Sequence, residues 1–172
     1  MLPLHFTFCF AKLNVKRKCV REGDGSKEKR SVDEEIRPIP YYPNYKAALP
    51  WYQDPELCRQ VDNRDGVYDS KLLRRMYRYL EQHGDLFYIK YRNRLCGDVC
   101  LQASGEVNIV IAKPFQNKHI GRRVMEEIIR MAREKNLREL HAEIYSFNAQ
   151  SCAMFQSVGF VKVGEEQYTF AL

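Results

Sequence analysis

The chain has 172 residues, 45% of them hydrophobic and 29% charged, with a net charge of +6. That length supports one domain with its own core, and no apolar run approaches the roughly eighteen residues of a membrane helix, which argues against a membrane protein. Seven basic and three acidic residues fall between Lys16 and Arg30, so most of the excess charge sits in one segment, which argues against a nucleic-acid-binding face.

The segment LPLHFTFCFA is apolar but short. No basic residue precedes it and no small-residue cleavage site follows, so it does not read as a secretory signal, and a cytoplasmic, reducing location is the expectation. The six cysteines, Cys9, Cys19, Cys58, Cys96, Cys100 and Cys152, form no C-x-x-C pair, and Cys96 and Cys100 lack partners at zinc spacing. They read as free thiols, with no metal site. Leu4, Phe6, Phe8 and Phe10 alternate as in a half-buried strand. Such a strand needs a sheet edge, either in its own domain or in a second copy as a homodimer. A charged loop follows at 21–31. Residues 1–35 are thus expected to form an N-terminal extension, and residues 36–172 the main domain.

A short strand is expected at 36–40. NYKAALPWYQDPEL reads as helix interrupted at Pro50 and Pro55, with Asp54-Pro55 as a turn. Asp69 or Ser70 caps a helix that places Leu72, Leu73, Met76, Tyr77 and Leu80 on one side and ends at Gly84. Strands follow at 86–92, 95–103 and 106–112, joined by two-residue turns at Asn93-Arg94 and Ser104-Gly105. After QNKHIGRR (116–123) a helix buries Val124, Met125, Ile128, Ile129 and Ala132, with Asn136 as its C-cap. A strand at 140–145, a helix at 148–158 closed by Gly159, and strands at 160–163 and 167–171 complete the order. Hairpins plus one helical crossover predict an α/β (α+β) fold: a mixed, mostly antiparallel central sheet flanked by helices.

QNKHIGRR places a polar, doubly basic turn where a helix begins. A helix N-terminus exposes unpaired N–H groups and a partial positive charge, which makes an anion site suited to pyrophosphate. Gly121 allows close backbone approach, and Lys118, His119, Arg122 and Arg123 add charge. Taken alone, the stretch reads more readily as an ordinary helix start.

The same residues carry a resemblance. Gln116-Asn117-Lys118-His119-Ile120-Gly121 resembles the Arg/Gln-x-x-Gly-x-Gly/Ala phosphate loop of the GNAT superfamily of acyl-CoA N-acyltransferases, with His119 in place of the middle glycine. Asn148-Ala149-Gln150-Ser151, Met154-Phe155 and Gly159-Phe160 resemble the family's Asn-x-x-(Ala/Ser)-x-x-Leu-Tyr-x-x-x-Gly-Phe helix. The likeness covers about residues 36–172 and implies a GNAT fold that uses acetyl-CoA. It implies that the backbone of Ile109, Val110 and Ile111 pairs with the pantetheine arm. It implies that the amides from Gln116 to Arg123, Ile120 among them, hold the pyrophosphate. Asn148 and Ser151 then meet the cofactor from the other side. Phe155, also beside the cofactor, stands where the family often has a tyrosine general acid, and a phenyl ring cannot donate a proton.

Acyl transfer to an amine needs the neutral amine, yet with a pKa of about 10.4 only a few molecules in ten thousand are neutral near pH 7. A carboxylate or His, acting directly or through water, would help. Strand alternation puts Cys96, Asp98 and Cys100 opposite Leu95, Val99 and Leu101. It puts Glu106 and Asn108 opposite Val107, Ile109 and Ile111, and His141, Glu143 and Tyr145 opposite Leu140, Ala142 and Ile144. If the registers agree, Asp98, Glu106, Glu143 and Tyr145 line one side of the sheet as an acidic acceptor pocket; the other reading is a solvated face. The segment 51–69 resembles the acceptor-side wall of the family, with Trp51, Tyr52, Asp62 and Tyr68 as candidate contacts, although Trp51 and Tyr52 also read as core. This region is similar to GNAT enzymes acting on aminoglycosides and on protein N-termini. The expected function is acetyl transfer from acetyl-CoA to a primary amine of a small molecule or peptide, direct and without an acyl-enzyme. The alternative is a non-catalytic acyl-CoA-binding module.

Overall fold

The computed structural model describes residues 36–172. The strand expected at 4–10 and the loop at 21–31 lie outside the described residues. Strands β1 (Ile36–Pro40), β2 (Gly84–Tyr91), β3 (Arg94–Gln102) and β4 (Val107–Ile111) form one antiparallel sheet in that order. Strands β5 (Glu139–Glu143), β6 (Val161–Lys162) and β7 (Gln167–Ala171) form a second, with β7 in the middle. A parallel bridge between Glu106 and His141 joins them. The mixed, mostly antiparallel architecture is the one the element order predicts.

Two details differ from the sequence reading. The first hairpin turns at Arg92 and Asn93, with φ of 45° and 63°, one residue earlier than expected. Two successive left-handed residues are what a type I′ hairpin turn requires. Further along the same hairpin, Ile89 faces Gly97 but Lys90 faces Leu95, so Cys96 is an extra residue. Such a bulge resets the alternation. Cys96 therefore joins Val99 and Leu101 in one core, and Leu95 packs with Cys100 on the opposite face. Gly97 permits the close approach, since a Cβ there would lie 2.0 Å from the Val110 carbonyl oxygen.

On one face of the four-stranded sheet lie α1 (Tyr45–Ala48), α2 (Pro55–Asp62) and α3 (Ser70–His83), which bury Leu57, Leu73, Tyr77 and Leu80 against Tyr88, Cys100 and Val110. A 3-10 turn at Trp51–Gln53 precedes α2. Asp54 is the cap of α2, accepting from the Leu57 N–H at 3.0 Å with Pro55 in the first turn. The Asp-Pro pair expected as a turn is thus a helix start, a place where proline lacks nothing. Asp69 caps α3 in the same way, at 2.7 Å from the Leu72 nitrogen.

On the other face α4 (Ile120–Glu134) buries Ile120, Val124, Met125, Ile128, Ile129 and Ala132. Each fully buried aliphatic side chain contributes about 1.5–3 kcal/mol, which fixes the helix on the sheet. Asn136, at φ 56°, follows its end. Helix α5 (Ala149–Ser157) adds Phe155 to this core and is followed by Gly159 at φ 103°. Among the described residues no helix is long and apolar enough to cross a membrane.

Candidate active site

Apart from the Glu106–His141 bridge the two sheets do not pair, and a cleft of about 530 Å³ opens between β4 and β5. Its walls are β4, the residues that lead into α4, the exposed face of α5 and the end of β5, with Leu57, Gln60 and Val61 contributed by α2.

The β4 wall is a strand edge. Val110 lies opposite Asp98 and Asn108 opposite Cys100. The Gln102 N–H donates to the Glu106 carbonyl and the Ala112 N–H to the Cys96 carbonyl, both at 2.8 Å. Even-numbered residues therefore spend their backbone groups on β3, while Ile109 and Ile111 turn theirs toward the cleft. Val110, expected to share in backbone pairing across the cleft, is committed to β3 instead. Gln116 already donates from Nε2 to the Ile111 carbonyl at 3.0 Å.

The second wall is the start of α4. His119 is its N-cap residue, with φ 58° and ψ 15°, and its side chain makes no capping bond. Asn117 is also left-handed, at φ 58°. A non-glycine residue held there costs about 1–3 kcal/mol, so His119 takes up the backbone shape that glycine adopts freely. The first N–H groups of α4 are left for an anion, beside cleft-lining Gln116, Asn117, Ile120, Gly121 and Arg122. A Cβ on Gly121 would meet Met154 at 3.6–3.8 Å. That is ordinary van der Waals contact, so the packing of α5 does not require the glycine. Lys118 folds back, with its Nζ donating to the Pro114 carbonyl at 3.0 Å and lying over the Phe115 ring. Lys118 and Arg123 stand outside the cleft wall, and Arg122 pairs with Glu126 at 3.5 Å.

The α5 wall carries Asn148, Gln150, Ser151, Met154 and Phe155. Asn148 is 8% exposed. Its Oδ1 accepts from the Ser151 N–H at 3.2 Å and its Nδ2 donates to the Gln60 carbonyl at 3.3 Å. It therefore caps α5 and ties that helix to α2. Gln150 donates to Asn117 Oδ1 at 2.9 Å, linking α5 to the loop before α4. Phe155 is 3% exposed and stands edge-on to Phe160, so no hydroxyl occupies that position.

The structure does not gather the four candidate acid–base residues. Asp98 is 3% exposed and absent from the cleft wall. Tyr52 donates to both its oxygens, at 3.0 and 2.9 Å, and Tyr77 donates to one at 2.8 Å. Burial pushes the Asp98 carboxyl up to about 7, with the two tyrosine hydrogen bonds pulling the other way. Glu106 accepts from Asn108 Nδ2 at 3.0 Å, and Asn108 accepts from Gln102 Nε2 at 2.9 Å. Glu143 is exposed and lines the cleft. Tyr145 stacks on Phe147 with ring centroids 5.4 Å apart; burial raises its hydroxyl above the ordinary range, and the charges of Glu143, Asp62 and Glu166 add to this.

The expected acceptor-side residues divide similarly. Tyr52 is core, Trp51 packs edge-on to Tyr88, and Tyr68 donates to Asp62 at the end of α2. None of these four lines the cleft. Residues to which the sequence reading gave no site role do: Asn108, Gln60 and Gln150. Strand alternation had placed Asn108 with Glu106, whereas nothing local marks Gln60. Among the described residues no three His, Cys, Asp or Glu side chains gather as a metal site.

Known structures share this fold at low identity. A domain from Methanocaldococcus jannaschii superposes with a TM-score of 0.68 at 21% identity, covering 80% of this chain and 98% of that one. A GNAT-family acetyltransferase from Bacillus anthracis gives 0.63 at 16%, covering 74% and 87%. Spermidine N-acetyltransferase from Vibrio cholerae, in complex with CoA and spermine, gives 0.65 at 15%, covering 79% and 92%. No curated protein matches the sequence. The Acetyltransferase (GNAT) family model matches residues 45–160, most of the described domain and both walls of the cleft, and the chain belongs to that family.

Proposed function

We propose that the chain is an acetyl-CoA-dependent N-acetyltransferase that acts on a primary amine of a small molecule or peptide by direct transfer. The observation that carries this reading is the pairing of an uncapped helix start with an unpaired strand edge in one cleft. The first suits a pyrophosphate, and the second suits an extended amide-bearing arm, since Ile109 offers a backbone donor and acceptor and Ile111 its N–H. The donor supplies an acetyl thioester. Amides from Gln116 to Arg122 would hold its phosphates, with Ser151 and Phe155 beside it from α5. Glu143, the one acid–base candidate on the cleft wall, is the first choice for drawing a proton from the ammonium. Glu106, positioned through Asn108, is the second.

The fold neighbour that holds CoA and spermine supports an amine acceptor as a class. A second reading, a non-catalytic acyl-CoA-binding module, draws on Phe155, which provides no proton where a leaving thiolate would need one. Calorimetric titration of acetyl-CoA into the wild type and Gly121→Glu tests the cofactor site. Micromolar binding lost in the variant supports it; absence of heat and of thermal shift at millimolar ligand refutes it. Thiol release across an amine panel then separates enzyme from binding module.

A further inference from the structure

Helix α3 presents Lys71, Arg74, Arg75 and Arg78 on its outer face, all exposed. Their spacing of three, four and seven residues puts them on one stripe. Among the described residues none of the four forms an ion pair. Arg74 instead lies over the Tyr45 ring at 5.0 Å.

Some other basic side chains of this domain are paired with acids. Arg130 pairs with Glu127 and Glu134, Arg122 with Glu126, and Lys135 with Asp85. On α3 the arrangement is reversed. Lys71 and Arg75, and likewise Arg74 and Arg78, are like charges four apart, which disfavours a helix. Of the four, Lys71 stands in the first turn, where a cation opposes the positive end of the helix dipole that Asp69 caps.

We infer that this stripe is a docking surface for an acidic polypeptide segment. Carboxylates bound the stripe, with Asp65 and Asp69 before it and Glu81 after it. A run of about four negative charges fits between them, whereas a continuous phosphate backbone would meet repulsion at both ends. Helix α3 begins just after Tyr68, whose hydroxyl is bonded to Asp62 at the end of α2.

The test is fluorescence anisotropy of a labelled oligo-glutamate peptide with the full chain, at low and raised salt, with acetyl-CoA left out. It therefore stands or falls separately from the acetyl-transfer reading. Lys71→Glu, Arg75→Glu and Arg78→Glu together should weaken binding at least about tenfold, while acetyl-CoA binding and the circular dichroism spectrum stay unchanged. The acid placed in the first turn favours the helix, so the triple variant should fold. Failure of the wild type to bind the peptide, or equal binding by the variant, overturns the inference. Tighter binding of a single-stranded RNA of equal charge through the same residues also overturns it, in favour of a nucleic acid partner.

Discussion

Two regions of the molecule are built from different material. The β4–α4 side offers backbone: strand-edge groups at Ile109 and Ile111 and a helix start with no side-chain cap. The α1–α3 side is organised by side chains around a buried carboxylate that tyrosines from two separate elements satisfy. A backbone site depends on conformation and tolerates changes of side chain, as His119 shows at a position where glycine would be at ease. A side-chain network depends on identity, because every buried polar atom needs its partner. Substitutions on the first side should therefore act on binding, and on the second side on stability.

The largest expected effect is that of Gly121→Glu. It places bulk and negative charge at the helix start, and acetyl-CoA affinity should fall about a hundredfold or more, about 2.8 kcal/mol, with thermal unfolding little changed. A comparable loss of stability would erase the distinction between the two sides. Asp98→Ala should do the opposite, lowering stability by about 3 kcal/mol because two tyrosine hydroxyls lose their acceptor inside the core. Urea unfolding measures it, and a change below a few tenths would show that the network is dispensable.

Asp98 also makes a prediction about pH. Its folded value, pushed up to about 7, lies above its ordinary 3.8. Its contribution to stability is thus complete below the unfolded value and is lost as pH rises through the folded one. The stability of the wild type relative to Asp98→Asn should fall between about pH 4 and about pH 7 and then level off. A difference that rises with pH would reverse the assignment. Asn148→Ala removes the cap of α5, at about 1 kcal/mol, and also the bond to Gln60. It should raise KM for the amine more than the Kd for acetyl-CoA if α2 forms the proposed acceptor side. The smallest effect belongs to His119→Gly. Relief at φ 58° is partly offset by the freer unfolded chain, so the gain should stay under about 1 kcal/mol, with cofactor affinity kept within a few-fold.

The cofactor side was legible in the sequence because its signal is local. Gln116 to Gly121 lie in one stretch between a strand and a helix, and the helical period of Val124, Met125, Ile128 and Ile129 reports the face that packs on the sheet. Alternation likewise separated Asp98 from Val99 correctly. It failed at Leu95 and Cys96, because a one-residue bulge leaves no mark in composition. It also failed to say that Val110 turns its backbone to β3, since which strand edge stays open depends on the partner.

What the sequence determined by itself was the order of elements, the helix cap at Asp69 and the polar turn before α4, all set by neighbours a few residues away. What only the tertiary structure decided was the fate of the carboxylates. Asp98 and Glu143 look alike as outward positions on strands. A tyrosine 46 residues before Asp98 and another 21 residues before it close over the first, while the gap between β4 and β5 leaves the second open to the cleft. Burial depends on what packs above a residue, and that is a property of chain segments far apart in sequence.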